Sequence, residues 1–175
     1  MRRPAVLSTP NLLSLSRLPL AAAFVLADSV HLRIAFIGAA SITDWLDGWI
    51  ARRRGTVSRL GALLDPVADK TFVFAAALVF LVAGVLSTGD WLVLLSRDIA
   101  TAVGFVVAWR LPGLRPGDFR ARWAGKVVTV LQLAALVILL LEPPLWRWIV
   151  VPLALASAIA IADYTLFLHR TRVRS

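Results

Sequence analysis

Six aspartates stand within or at the ends of apolar stretches: Asp44, Asp47, Asp65, Asp69, Asp98 and Asp163. An ionised carboxylate at mid-bilayer costs about 2.5 to 3.5 kcal/mol on insertion scales, so acids in such places mark function. Four of them, Asp44 to Asp69, fall within 26 residues. On helices, Asp44 and Asp47 at i and i+3 share a face, and so do Asp65 and Asp69 at i and i+4. Two neighbouring antiparallel helices, joined by the Arg-rich turn from Arg52 to Arg59, would bring the four carboxylates into one small volume. Like charges so close require protons or cations between them. The chain has no cysteine, and oxygen-only ligands favour hard divalent ions, Mg²⁺ and Mn²⁺ ahead of Ca²⁺. Mg²⁺ usually completes its shell with substrate phosphates, which points to a phosphorylated substrate.

The residues between the acids fit a phosphate ligand. Gly48 directly follows Asp47, and Gly61 lies one turn before Asp65; without side chains, both let a substrate approach the backbone. Ala51 is small on the same stretch, and Arg52, one turn past Gly48, carries a planar fork of donors suited to phosphate oxygens. Taken singly, the glycines are equally explained by close helix packing and Arg52 by a charge at a membrane surface. The conjunction with four aspartates favours a site.

The elements that must position these residues follow from composition. The 175 residues are 59% hydrophobic with a mean hydropathy of +0.81, above the 45 to 50% apolar content usual for soluble domains. Apolar runs and their breakers predict six transmembrane helices, near 17–27, 33–52, 60–86, 91–110, 122–141 and 146–169, preceded by a short N-terminal amphipathic helix around 11–16. The expected fold is therefore all-α and polytopic, a single membrane domain over 1–175. The N-terminus shows no cleavable signal pattern, because Arg2 and Arg3 are followed by Pro4 and a polar cluster at Ser8 to Asn11.

The net charge of +9 follows the spans. With a cytoplasmic N-terminus, that side collects fourteen basic residues, including Arg52, Arg53, Arg54, Arg110, Arg115, Arg120, Arg122 and Lys126, and the far side only Arg33 and Arg147. This bias predicts both termini and the acidic site on the cytoplasmic face. Trp91, Trp109, Trp123, Trp146 and Trp148 lie near span ends, as interfacial anchors do. Topology and anionic lipid explain the basic excess, and no nucleic-acid partner is expected.

Residues 44–52, Asp-Trp-Leu-Asp-Gly-Trp-Ile-Ala-Arg, are followed after eight residues by 61–69, Gly-Ala-Leu-Leu-Asp-Pro-Val-Ala-Asp. This resembles the signature of the CDP-alcohol phosphatidyltransferases, DxxDGxxAR then GxxxDxxxD, at every defining position. The resemblance extends from Pro10-Asn11-Leu12 through Ser96-Arg97-Asp98 to Gly125-Lys126 and Gln132. It implies a six-helix membrane enzyme, usually a homodimer, in a bacterial cytoplasmic membrane. Two divalent cations, Mg²⁺ or Mn²⁺, would be held by Asp44, Asp47 and Asp65. Asp69 would serve as a further ligand or as the general base, and Gly48, Ala51, Arg52 and Gly61 would line the site for the CDP moiety. The implied reaction moves a phosphatidyl group from CDP-diacylglycerol to a polar or lipid alcohol and releases cytidine monophosphate.

The signature carries no information on the acceptor. Outside it, Leu64 to Lys70 and Gly125-Lys126 with Thr129 and Gln132 are similar to the branches that use glycerol 3-phosphate or phosphatidylglycerol. Arg97, Arg120 and Lys126 form the expected acceptor-binding set, with Asp98 orienting Arg97. Arg97-Asp98 and Gly104 depart from the Arg-Glu and second arginine usual where glycerol 3-phosphate is the acceptor, and resemble the cardiolipin synthase branch. Glycerol 3-phosphate is the leading reading and phosphatidylglycerol the alternative. A cation transporter is the rival class, but it has no need of Gly48, Arg52 and Gly61 at this spacing.

Overall fold

The computed structural model describes residues 15–54, 61–110 and 123–173, with side chains at 15–46, 70–104 and 123–166. The expected amphipathic helix around 11–16 lies almost entirely outside the described residues. Those described form six α-helices and no strand: α1 Arg17–Leu26, α2 Val30–Arg54, α3 Gly61–Val82, α4 Thr88–Arg110, α5 Trp123–Leu141 and α6 Trp146–Val173. A 3-10 turn, Pro143–Leu145, leads into α6. They divide into two compact units, Met1–Ala83 and Gly84–Ser175.

In the first unit α1 packs against both α2 and α3. Arg17, Ala21 and Phe24 are its buried residues, spaced at i, i+4 and i+7 as one helix face requires. Phe24 meets Phe72 of α3 edge to face, with ring centroids 5.7 Å apart. The end of α1 frees carbonyls that have no helical donor. Arg33 of α2 answers one, its Nε donating to Ala27 O at 2.9 Å, and its guanidinium lies 5.6 Å from the Phe24 ring. On α2 the Ser41 and Thr43 hydroxyls donate to the carbonyls of Ile37 and Ala40, so neither is left unsatisfied in apolar surroundings. Helix α3 stops at Val82, short of the expected residue 86, because Gly84 adopts φ +70 and a left-handed glycine terminates a helix.

In the second unit α6 packs along both α4 and α5. The start of α4 is capped reciprocally: Ser87 Oγ accepts from the Asp90 N–H at 3.1 Å and donates to Asp90 Oδ2 at 2.7 Å. The buried stripe of α5 is Gly125, Val128, Gln132, Ala135, Leu136 and Leu139, a heptad-like spacing. From α6, Leu153, Ser157 and Ala160 are buried, and Tyr164 fills the space over Gly104 of α4, where an added Cβ would lie 2.5 Å from its Cε1.

The outer surfaces are also apolar. Ile42, Val82, Val103, Val130, Trp148, Leu155 and Ile159 are all exposed, more greasy surface than water-facing helices carry. Among the described residues, Trp123–Leu141 and Pro143–Leu166 are long and apolar enough to cross a bilayer. The chain is a membrane protein. Helices α2 and α4 carry charged residues inside the helical run, among them Asp44 and Asp47 on α2 and Arg97 and Asp98 on α4, which lowers their apolarity.

Candidate active site

Helix α2 runs unbroken through residues 44–52 and α3 through 61–69, so each aspartate pair stands on a continuous helix, Asp47 one turn after Asp44 and Asp69 one turn after Asp65. The side chains of Asp47, Ala51, Arg52, Asp65 and Asp69, and the surroundings of Gly48 and Gly61, lie outside the described residues. Asp44 is described. Its Oδ1 accepts from the Arg17 guanidinium at 3.0 Å, and the two side chains differ sharply in exposure, 3% for Arg17 against 51% for Asp44. The buried arginine supplies a counter-charge to the Asp44 carboxylate. Asp44 makes no other hydrogen bond among the described residues, so Oδ2 is available on the open side. A hard divalent cation takes such an oxygen. No cluster of three metal-ligating side chains occurs among the described residues, since the other three signature acids fall outside them.

Of the expected acceptor residues, Arg120 lies outside the described residues, and the second unit holds Arg97 and Lys126. Arg97 NH1 donates to Asp98 Oδ1 at 3.1 Å, as the adjacent charges led one to expect. The second oxygen of Asp98 accepts from Gln132 Nε2 at 2.7 Å, and the same nitrogen reaches Leu94 O at 2.7 Å. The other arm of the Arg97 guanidinium lies against Gly125, where an added Cβ would stand 2.6 Å from NH2. Lys126 does not join this group: its ammonium sits 5.9 Å from the ring of exposed Trp123.

The resemblance alone pointed to Gln132, and Arg17 lies outside the signature. Both are buried, and each binds an aspartate. The signal for both was the same: a strongly polar side chain alone in an apolar helical run needs a partner.

The spacing of the acids on α2 and α3, with one carboxylate braced outward by a buried arginine, agrees with the comparison with known proteins. The profile of the CDP-alcohol phosphatidyltransferases matches residues 7–160. The chain belongs to the CDP-alcohol phosphatidyltransferase family. It is 37% identical over 150 residues to a CDP-diacylglycerol–glycerol-3-phosphate 3-phosphatidyltransferase of Pseudomonas fluorescens, covering 79% of this chain and 74% of that one. The Escherichia coli K12 protein of the same name is 35% identical over 147 residues, 78% of this chain and 79% of its own. A putative cardiolipin synthase of Mycobacterium bovis is 39% identical over 108 residues, 59% of this chain and 52% of that protein. As a CDP-alcohol phosphatidyltransferase the chain is an enzyme of phospholipid biosynthesis, and the transporter reading falls away.

Proposed function

We propose that this phosphatidyltransferase moves the phosphatidyl group of CDP-diacylglycerol to glycerol 3-phosphate. The observation that carries the reading is Asp44, the first acid of a complete signature, turned outward by a buried arginine. Similarity over most of the chain to transferases named for glycerol 3-phosphate supports the acceptor. In this reading the whole chain acts as a single catalytic domain, a homodimer in the bacterial cytoplasmic membrane, with six spans and with both termini and the site on the cytoplasmic face.

Asp44, Asp47, Asp65 and Asp69 would hold two divalent cations, Mg²⁺ or Mn²⁺. When bound, the cations supply charge neutralisation at the pyrophosphate and polarise its phosphorus–oxygen bonds. Gly48, Ala51, Arg52 and Gly61 seat the cytidine diphosphate: the glycines admit it to the backbone, and Arg52 pairs with its phosphate oxygens. Asp69 takes the proton of the acceptor hydroxyl. The acceptor oxygen then bonds to the phosphorus that bears diacylglycerol, and the bond from that phosphorus to the bridging oxygen breaks. Cytidine monophosphate leaves with the bridging oxygen, and Arg17 keeps Asp44 in place throughout. Arg97, Arg120 and Lys126 serve the anionic acceptor.

The test is release of cytidine monophosphate from CDP-diacylglycerol by purified protein, with glycerol 3-phosphate and phosphatidylglycerol offered side by side and the lipid product identified by mass. Phosphatidylglycerophosphate is the expected product. Absence of Mg²⁺- or Mn²⁺-dependent release with any acceptor refutes the reading. Cardiolipin as the main product selects the second reading, which Arg97-Asp98 and Gly104 favour.

A further inference from the structure

Helices α1 and α2 form a hairpin tied at both ends. At one end Arg17 holds Asp44, and at the other Arg33 donates its Nε to Ala27 O at 2.9 Å. Arg33 stands eleven residues before Asp44 on α2, about 16 Å along the axis. The turn between the helices is thus remote from the signature acids, and the proposed transfer step uses none of its residues.

Two opposite charges beside this turn do not pair with each other. Arg33 commits Nε to the carbonyl and lays its guanidinium 5.6 Å from the ring of Phe24, a fully buried side chain that is itself fixed edge to face against Phe72 of α3. The guanidinium is therefore held in one orientation. Its Nη1 and Nη2 carry four N–H donors that have no acceptor among the described residues. Asp28, five residues earlier and exposed, makes neither a hydrogen bond nor an ion pair among those residues. Opposite charges this near attract, yet here each keeps its capacity for another partner.

The surface around them is apolar. Leu26 at the end of α1 is 78% exposed, and Val30 and Leu32 at the start of α2 are 38% and 52% exposed. A soluble phosphate ester has nothing to lay against such residues, whereas acyl chains do. A fixed guanidinium fork matches phosphate oxygens, a carboxylate matches an ammonium, and the two protein charges sum to zero. That combination complements a zwitterionic headgroup rather than an anionic one.

We propose that the turn between α1 and α2 is a docking site for one membrane phospholipid whose headgroup joins a phosphate to a primary ammonium, the phosphoethanolamine type. Arg33 takes the phosphate oxygens, Asp28 accepts from the ammonium N–H groups, and Leu26, Val30 and Leu32 meet the chains. A quaternary ammonium has no N–H to donate, so a phosphocholine lipid loses the second contact.

In the experiment, full-length protein stripped of lipid in detergent is titrated with phosphatidylethanolamine or phosphatidylcholine of the same acyl chains, and bound lipid is measured by native mass spectrometry. The two ligands differ in the N-methyl groups alone. The first phosphatidylethanolamine is expected to bind about tenfold more tightly than the first phosphatidylcholine, the scale of one hydrogen bond between charged groups. Asp28→Asn, at an exposed position, is expected to bring the two lipids within about twofold of each other. Arg33→Lys loses the fork and is expected to weaken both about tenfold. Because Arg33 also closes the end of α1, helical circular dichroism of that variant is compared with wild type, and Asp28→Asn decides the matter if Arg33→Lys misfolds. Equal binding of the two lipids by wild type, a preference that survives Asp28→Asn, or unchanged binding in folded Arg33→Lys overturns the site. So does release of bound phosphatidylethanolamine by an equal concentration of glycerophosphoethanolamine, which would assign the contact to a soluble phosphate ester.

Discussion

Each unit contains an arginine–aspartate pair, and the two differ in which member keeps free capacity. In the first, Arg17 is enclosed and Asp44 faces outward with one oxygen unengaged among the described residues. In the second, Asp98 is held on both oxygens while Arg97 retains most of its donors. The lesson is that an ion pair inside a membrane protein is best read by what it leaves over. A spare carboxylate oxygen suits a cation, and a spare guanidinium arm suits an oxyanion.

The contrast breaks most sharply at the acids. Asp44→Asn and Asp65→Asn are expected to lower kcat on the order of a thousandfold or more, the scale of losing a charge-stabilising ligand at the reacting centre. Both should stay folded, with the elution profile and helical circular dichroism of the wild type. Chelation should stop cytidine monophosphate release, and added Mg²⁺ or Mn²⁺ should restore it. Near-normal turnover in either variant removes the metal assignment from the first unit. Arg17→Met tests the brace behind Asp44. A carboxylate released from its partner shifts by an ångström or so, and about a 10- to 100-fold fall in kcat is expected. If that variant instead raises only the acceptor KM, the division between the two pairs is wrong.

Much of this arrangement could be read from the sequence, and the exceptions have physical causes. The six described helices fall close to the apolar runs of the sequence, and two of them, Trp123–Leu141 and Pro143–Leu166, are long and apolar enough to cross a bilayer. The early end of α3 was missed because an apolar stretch continues past Val82, and only the backbone angle of Gly84 shows that the chain has turned. That residues 44–54 and 61–69 are helical was legible, because the acids recur at i, i+3 and i, i+4 within apolar runs. The link from Gln132 to Asp98 was not, since it joins residues 34 positions apart and depends on how α5 lies against α4. The pairing of Arg17 with Asp44 across 27 positions is of the same kind.

A smaller effect separates packing from chemistry in the second unit. Gly104→Ala places a methyl against the Tyr164 ring, and overpacking of this sort costs about 1 to 3 kcal/mol. The expected result is a lower Tm in detergent with both KM values unchanged, and Tyr164→Ala in the same chain should recover part of the loss. A changed acceptor KM would instead tie the contact between Gly104 and Tyr164 to acceptor binding.

The smallest effect belongs to the cap of α4, which lies ahead of the apolar segment. Ser87 donates to Asp90 and holds its carboxyl below the usual aspartate range. A carboxylate whose pKa is lower in the folded state stabilises the fold above its unfolded value, and that contribution is lost as the pH falls through the folded value. Ser87→Ala should therefore lower stability by about 1 kcal/mol at neutral pH, with the gap from wild type narrowing below about pH 4, where aspartate protonates. Thermal unfolding at a series of pH values checks this, and a gap that stays constant with pH would assign the loss to the Asp90 N–H bond alone. Turnover should be unmoved at neutral pH, because the Ser87 cap stands about seven residues before Leu94 on α4, roughly 10 Å from the Gln132 brace along the axis. A rise in acceptor KM would overturn that expectation and show that strain at the cap travels along α4.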